Sequence, residues 1–325
     1  MTRVIEGSAP SKAIIVGEHF VVRDQPAIAA ALNIRTYVKA KEHSHEYIRI
    51  ISTNLGIDVK IDMRLSRKVP SDIVPFVRIL EIIRERFDDL RPCLVIISSE
   101  IPVGSGMGSS ASTFTAFTAA YLKFIDIEVS LDEISKIAYE AECIVHGKPS
   151  GIDNTITTYG GVIAYRKSEG FLRINAKLSE EYVWLIADTG VRRSTGDLVR
   201  KVLELYDKYV DIFMPLYHAA GHLAIEAGKA LQNGDYVRLG ELMNINQGML
   251  SAIGVSTLQI EEIVYKARSS GALGAKLTGA GGGGAVLILA KRCDATKIKN
   301  AVRPYARQVL ETNISPKGVE VKVIS

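Results

Sequence analysis

Cysteine is scarce in this sequence. Only Cys93, Cys143 and Cys293 occur, far apart, odd in number and without metal-ligand spacing. That pattern argues against a disulfide framework or a zinc site, and it reads as reduced thiols in a cytosolic compartment. Long apolar runs are missing as well. No stretch reaches the roughly 18 apolar residues of a membrane span, and Met1 to Gly7 carries no apolar run before Pro10, so neither a membrane segment nor a secretory leader is expected. Charge of one sign is also lacking. Forty Lys and Arg against 36 Asp and Glu leave a formal +4, small for 325 residues and spread along the chain. No nucleic-acid surface is expected from it, whereas small anionic ligands fit. No repeat, low-complexity tract or linker is visible.

What is present is a globular composition, 47% hydrophobic and 23% charged, long enough for two closely packed domains. The N-terminal forty residues alternate β-branched runs with Gly, Pro and Asn breaks: Ala13 to Val16, Phe20 to Val22, Ala27 to Leu32, Ile34 to Ala40. Further strands are expected near Tyr47 to Ser52 and Ile57 to Met63. A helix opens at Ser71, where Ile73, Phe76, Leu80 and Ile83 keep helical spacing. Strand Leu94 to Ile101, a Gly/Ser loop, a helix from about Ser110 to Phe124 and a helix from Ser130 to about His146 follow. Ser130 and Glu133 have capping-box spacing there. Strands near Gly161 to Tyr165 and Phe171 to Asn175 finish a first unit, and Tyr182 to Asp188 starts a second. Helices dominate from Thr195 to Leu250 and again near Thr257 to Ser269. Strands at Gly274 to Leu277 and Ala285 to Ala290, a helix near Ala295 to Val309 and a strand at Val319 to Ile324 complete the chain. Strands in runs, rather than in regular βαβ alternation, favour α+β over a doubly wound sheet.

Two glycine loops stand out. Pro102-Val103-Gly104-Ser105-Gly106-Met107-Gly108-Ser109-Ser110-Ala111 lies between a strand and a helix. Alternate glycines let backbone N–H groups turn inward, and the helix start attracts anionic oxygens. Ser109 and Ser110 are available as cap and metal-side hydroxyl; a plain serine-capped turn is the competing reading. It is not a P-loop, because no Gly-Lys-Ser/Thr occurs in it. The second loop, Thr278 to Gly284, matches G-x-G-x-x-G formally, but a strand follows it where a dinucleotide fingerprint needs a helix. So glycine-rich a run loses much backbone entropy unless something approaches its main chain closely.

Acidic candidates lie between the loops. The helix from Leu131 has its apolar stripe at Leu131, Ile134, Ala138, Ala141 and Val145, so Glu142 borders the buried face. Such a carboxylate suits Mg²⁺, or a nearby lysine. His146 to Asn154 is a dense run of turn formers holding Asp153, which fits either a helix cap or the aspartate that accepts a hydroxyl proton in phosphoryl transfer. Lys12 opens an apolar strand ending in Gly17-Glu18-His19. Beside Asp153 it would keep that carboxylate ionised.

Together these segments resemble the GHMP family of small-molecule kinases over nearly the whole chain. Ala9 to Lys12 with Gly17 to Val22 is similar to the family's first motif, Pro102 to Ala111 to its phosphate loop, and Lys276 to Gly284 to its third motif. Gly17-Glu18-His19 and the block from His146 to Asn154 resemble the branch that phosphorylates mevalonate. The resemblance implies an N-terminal domain of mixed or antiparallel sheet with helices (residues 1–178) and a ferredoxin-like C-terminal domain (179–325), with ATP between them. It implies Asp153 as base beside Lys12, Ser110 and Glu142 on Mg²⁺, and Pro102 to Ala111 on ATP. Glu18, His19, Gly151, Arg193, Thr195, Gly279 and Ala280 would line the site of mevalonate, with the arginine fork on its carboxylate. Met107 stands where leucine is usual, and Arg192 where proline is common. The helices between Thr195 and Leu250 offer surface for a homodimer.

Overall fold

The computed structural model describes residues 3–65, 68–147, 149–191 and 195–324. Its strands are β1 (Val4–Val16), β2 (Ala27–Lys41), β3 (Tyr47–Ser52), β4 (Ile57–Asp62), β5 (Leu94–Ser99), β6 (Val162–Arg166), β7 (Gly170–Ile174), β8 (Tyr182–Asp188), β9 (Gly274–Thr278), β10 (Ala285–Lys291), β11 (Gln308–Thr312) and β12 (Glu320–Val323). The helices are α1 (Val74–Phe87), α2 (Ser109–Phe124), α3 (Leu131–His146), α4 (Ile152–Tyr159), α5 (Thr195–Lys208), α6 (Val210–Asn233), α7 (Tyr236–Ala252), α8 (Leu258–Ser269) and α9 (Ala295–Val302).

The first sheet runs β12-β1-β2-β5-β3-β4, with β6 and β7 continuing from β2. Among the described residues only β3 and β5 pair in parallel, so it is mixed. Opposite the Pro10 to Ser11 step, β2 carries two extra residues, Asn33 and Ile34. Proline cannot donate to a ladder, and a bulge is where a strand tolerates it. Helix α2 lies on β1 so closely that a Cβ on Gly7 would stand 2.6 Å from the Ala116 carbonyl oxygen. Behind it, Phe76, Phe114, Phe117 and Tyr121 interlock with the buried side chains of α1 and α3.

The second sheet has the order β11-β8-β10-β9, every pair antiparallel. Numbering its strands from one to four in chain order gives 4-1-3-2, with α9 between the last two, which is the ferredoxin-like arrangement. Both faces are buried. Trp184, Ile186, Leu287 and Leu289 pack with Ala13, Ile15 and Ile28 of the first sheet and with α6 and α7. Val183, Leu185, Val286 and Ile288 face α8 and α9. One core therefore welds the two sheets. The chain crosses back at its end, since β12, inside the expected 179–325 unit, pairs with β1 at Ile5 to Val323.

Three expectations change. Phe20 to Val22 is a 3₁₀ turn rather than a strand, because His19 takes φ +60° and turns the chain. The segment after Gly151 winds into α4, a helix too short to show a period. The last helix stops at Val302, ahead of Pro304, which leaves Gln308 to Thr312 free to become β11. Among the described residues, no helix is long and apolar enough to cross a membrane.

Candidate active site

The loop between β5 and α2 adopts the geometry that alternate glycines permit. Gly104, Gly106 and Gly108 all take positive φ, between 70° and 79°. Neither Ser109 nor Ser110 caps α2: Gly108 is the N-cap, and among the described residues no side chain caps the first-turn amides. The first amides of α2 thus keep their donors and their positive dipole end for an anion. Ser105 is occupied structurally, donating to the Pro102 carbonyl at 2.8 Å.

Lys12 comes from β1, whose N–H at that residue bonds to the Met107 carbonyl at 2.9 Å. This contact sets the lysine under the loop. Its Nζ lies 3.0 Å from Asp153 Oδ1, and it is 6% exposed against 34% for the aspartate. Asp153 sits in the first turn of α4, where the helix dipole favours a carboxylate, and Gly151 in the left-handed region is the N-cap that turns it there. A Cβ on Gly108 would touch both Lys12 and Asp153, at 3.4 and 3.6 Å. The ammonium, the carboxylate and the helix start therefore share one spot.

Glu142 belongs to the same neighbourhood. It is 2% exposed, deeper than its border position on the stripe suggested, whereas Leu131 and Val145 are exposed. Burial lifts its carboxyl to about 7, while a hydrogen bond from Ser110 and the Lys12 charge pull the other way and the Asp153 charge adds to the rise. One of its oxygens, Oε1, is buried without a partner. The other lies 3.6 Å from His146 Nε2, which is 3.5 Å from Ser110 Oγ. An orphaned buried carboxylate oxygen beside a hydroxyl, below a helix N-terminus, fits Mg²⁺. That ion takes one or two protein oxygens and fills its sphere with phosphate and water, and among the described residues no larger cluster of metal-ligating side chains occurs.

The third motif closes the site from the second sheet. Thr278 Oγ1 accepts from the Ile14 N–H at 2.9 Å and donates to its carbonyl at 3.1 Å. His19 Nε2 lies 2.8 Å from the Ala280 carbonyl, which can only accept, so the proton is on Nε2; burial holds the imidazole below its usual range. A Cβ on Gly279 would stand 3.5 Å from the Gly106 carbonyl oxygen, so the two glycine loops lie against each other. Much of the glycine run answers to the protein itself. A Cβ on Gly281 would collide with the Val255 carbonyl oxygen, and one on Gly283 would stand 2.7 Å from that of Val191.

Other expected residues stand apart. The Glu18 carboxylate is 1% exposed and paired with Lys276, and its second oxygen accepts from Asn246 Nδ2 at 3.1 Å. It ties the first motif to β9 and α7. Thr195 is exposed at the start of α5, and Arg193 lies outside the described residues. Thr278, Lys276 and Asn246 were not singled out one by one from sequence. A lone lysine inside an unbroken apolar strand was the available signal, since a buried ammonium requires partners.

The sequence profile described as GHMP kinases N terminal domain matches residues 75–161, and that described as GHMP kinases C terminal matches 228–307. The mevalonate kinase of Aeropyrum pernix is 38% identical over 324 residues, covering 99% of both chains. That of Pyrococcus abyssi is 35% identical, covering 100% of this chain and 99% of its own. Among solved structures, the Leishmania major mevalonate kinase in complex with R-mevalonate superposes with a TM-score of 0.82 at 29% identity, covering 96% of each chain.

Proposed function

The chain belongs to the GHMP kinase family, and from that membership we infer that it transfers the γ-phosphoryl of ATP to the 5-hydroxyl of mevalonate. The observation that carries this reading is the contact of Lys12 Nζ with Asp153 Oδ1, 3.0 Å, directly beneath Gly108. Phosphoryl transfer needs little covalent help from a protein; it needs alignment, charge neutralisation and a place for the hydroxyl proton.

Asp153 accepts that proton as the alcohol oxygen bonds to phosphorus and the bridging oxygen leaves with ADP. Lys12 pairs with Asp153 and offsets charge on the transferring group. The loop from Pro102 to Ala111, with the uncapped amides of α2, holds the phosphates, and Gly279 and Ala280 line the mevalonate side of the site from the second sheet. Ser110 and Glu142 would hold Mg²⁺, which would supply charge neutralisation on the phosphate oxygens. His19 and Gly151 flank the alcohol, and Arg193 is the sequence's candidate for the substrate carboxylate. The free thiols of Cys93, Cys143 and Cys293 fit a reducing cytoplasm. A homodimer would have the exposed Val210, Ile212 and Met214 of α6 for its contact.

The test is ADP release with mevalonate, its phosphorylated forms, homoserine and galactose, with each product identified by phosphorus NMR. Mevalonate alone should turn over well, giving a phosphomonoester on the 5-oxygen. A clear preference for any other alcohol overturns the substrate assignment.

A further inference from the structure

Asp153 is fixed by a segment that has almost no main-chain support. Among the described residues, no backbone N–H reaches the carbonyls of Pro149 or Ser150, and Gly151 anchors only the start of α4 through Thr155 N–H at 3.2 Å. Side chains supply what the main chain omits. Tyr139, on α3, donates its hydroxyl to the Pro149 carbonyl at 3.3 Å. Tyr165, on β6, donates to the Ser150 carbonyl at 2.8 Å. Two phenols from different elements thus grip consecutive carbonyls immediately before the helix that carries Asp153. The Tyr139 ring also lies against Gly151, 3.9 Å from where a Cβ would stand, and thereby covers the residue whose left-handed turn aims the helix. Farther on, Asn154 Nδ2 donates to Ser135 Oγ at 2.8 Å, and the Asp153 carbonyl accepts from Thr157 Oγ1 at 2.9 Å. Burial pushes both phenols above their ordinary range, so they remain donors at working pH.

We propose that Tyr139 and Tyr165 are positioning residues for the phosphoryl transfer, a pair of clamps that hold the Pro149 to Gly151 turn so that Asp153 meets Lys12 and the incoming hydroxyl. The proposal rests on the kinase reading of this site. Neither tyrosine touches the lysine or the phosphate loop through any contact described above, so their action runs through Asp153. Reaction geometry is sensitive to such support, since small displacements of an aligned group cost rate rather than binding.

The experiment compares Tyr139→Phe, Tyr165→Phe and the double variant with wild type, in the wild-type and the Asp153→Asn backgrounds. Each variant loses one hydroxyl and keeps its ring. Each single change should lower kcat about 5- to 10-fold, and the double change more, with KM for ATP and for the alcohol within about twofold. In the Asp153→Asn background the same changes should cost no further turnover, which a merely structural role would not produce. Amide hydrogen exchange over residues 149–156 should quicken in the variants while the melting temperature moves by only a few degrees. A double variant with wild-type kcat, or with losses that persist undiminished in Asp153→Asn, overturns the clamp. Should wild type fail to phosphorylate mevalonate, the substrate reading falls; the exchange comparison still judges the clamp, and unchanged protection over 149–156 sinks it.

Discussion

Glu18 and Lys276 form an ion pair with both side chains essentially removed from solvent, 1% and 0% exposed, at the seam between the two sheets. Burial pushes the carboxyl up and the ammonium down, each opposed by the other's charge. The surroundings favour the charged form. Lys276 Nζ meets Glu18, the Ile14 carbonyl at 3.4 Å and the Leu277 carbonyl, three acceptors for the three protons of an ammonium. Asn246 fixes the other carboxylate oxygen.

Removing one partner of this pair should be costly. Lys276→Met is expected to lower unfolding stability by about 3–5 kcal/mol, because an unpaired carboxylate stays buried, whereas Lys276→Met combined with Glu18→Leu should recover much of that loss. Urea unfolding of the three proteins reads it. Equal losses in the single and double variants would contradict the pairing.

Asp153→Asn should lower turnover by about 10²–10⁴-fold, the usual contribution of a positioned base, while ATP still binds. Lys12→Met should also be severe, and the two together far less than multiplicative, since both act on one proton. Rapid-quench turnover and nucleotide titration separate the effects. Near-wild-type turnover in Asp153→Asn removes that residue from the base role.

Glu142 makes the metal-free protein sensitive to pH. Its folded carboxyl, at about 7, lies above the ordinary 4.5, so the folded state holds this proton more tightly than the unfolded state does. Its contribution is neutral below about 4.5 and turns destabilising as pH rises towards 7, reaching about 3 kcal/mol above that point. Relative to Glu142→Gln, which has no proton to lose, wild type should therefore lose about that much stability between pH 4.5 and 8 in chelator-treated buffer. Parallel pH profiles for the two proteins would refute the assignment.

The second glycine loop should divide by function. Gly279 and Gly281 both have positive φ, so alanine at either carries strain of about 1–2 kcal/mol. Only at Gly281 does the added carbon strike the Val255 carbonyl, whose oxygen also accepts from the Gly282 N–H at 2.7 Å. Gly281→Ala should therefore be the less stable variant, and Gly279→Ala, which faces Gly106, the one with weaker ATP binding. Thermal melting and nucleotide titration check the contrast, and a reversed order would count against it.

Long periodic segments were legible from sequence because burial on one face writes a repeat. Helices α1 to α3, strand β8 and the half cap at Ser130, whose Oγ accepts from the Glu133 N–H at 3.2 Å, fall close to where their patterns put them. Short elements governed by tertiary contact were not legible. Helix α4 has eight residues, and β11 looks like the tail of a helix until Pro304 is weighed. Within the site, Lys12, Ser110, Glu142 and Asp153 could be named as candidates because each stands out locally. Their meeting could not be read so directly, since it depends on the Met107 carbonyl drawing β1 under the loop. Glu18 shows the opposite case: its motif was visible, but its carboxylate engages Lys276, a partner far along the chain.

The return of β12 to β1 bears on how the protein is made. During synthesis the outer edge of β1 emerges early and has no neighbour on that side until residues 320–323 leave the ribosome. An unpaired strand edge is a template for foreign strands. Nascent chains stalled before that point should thus need holding, and removing the last strand should yield a protein that aggregates before it loses its chemistry.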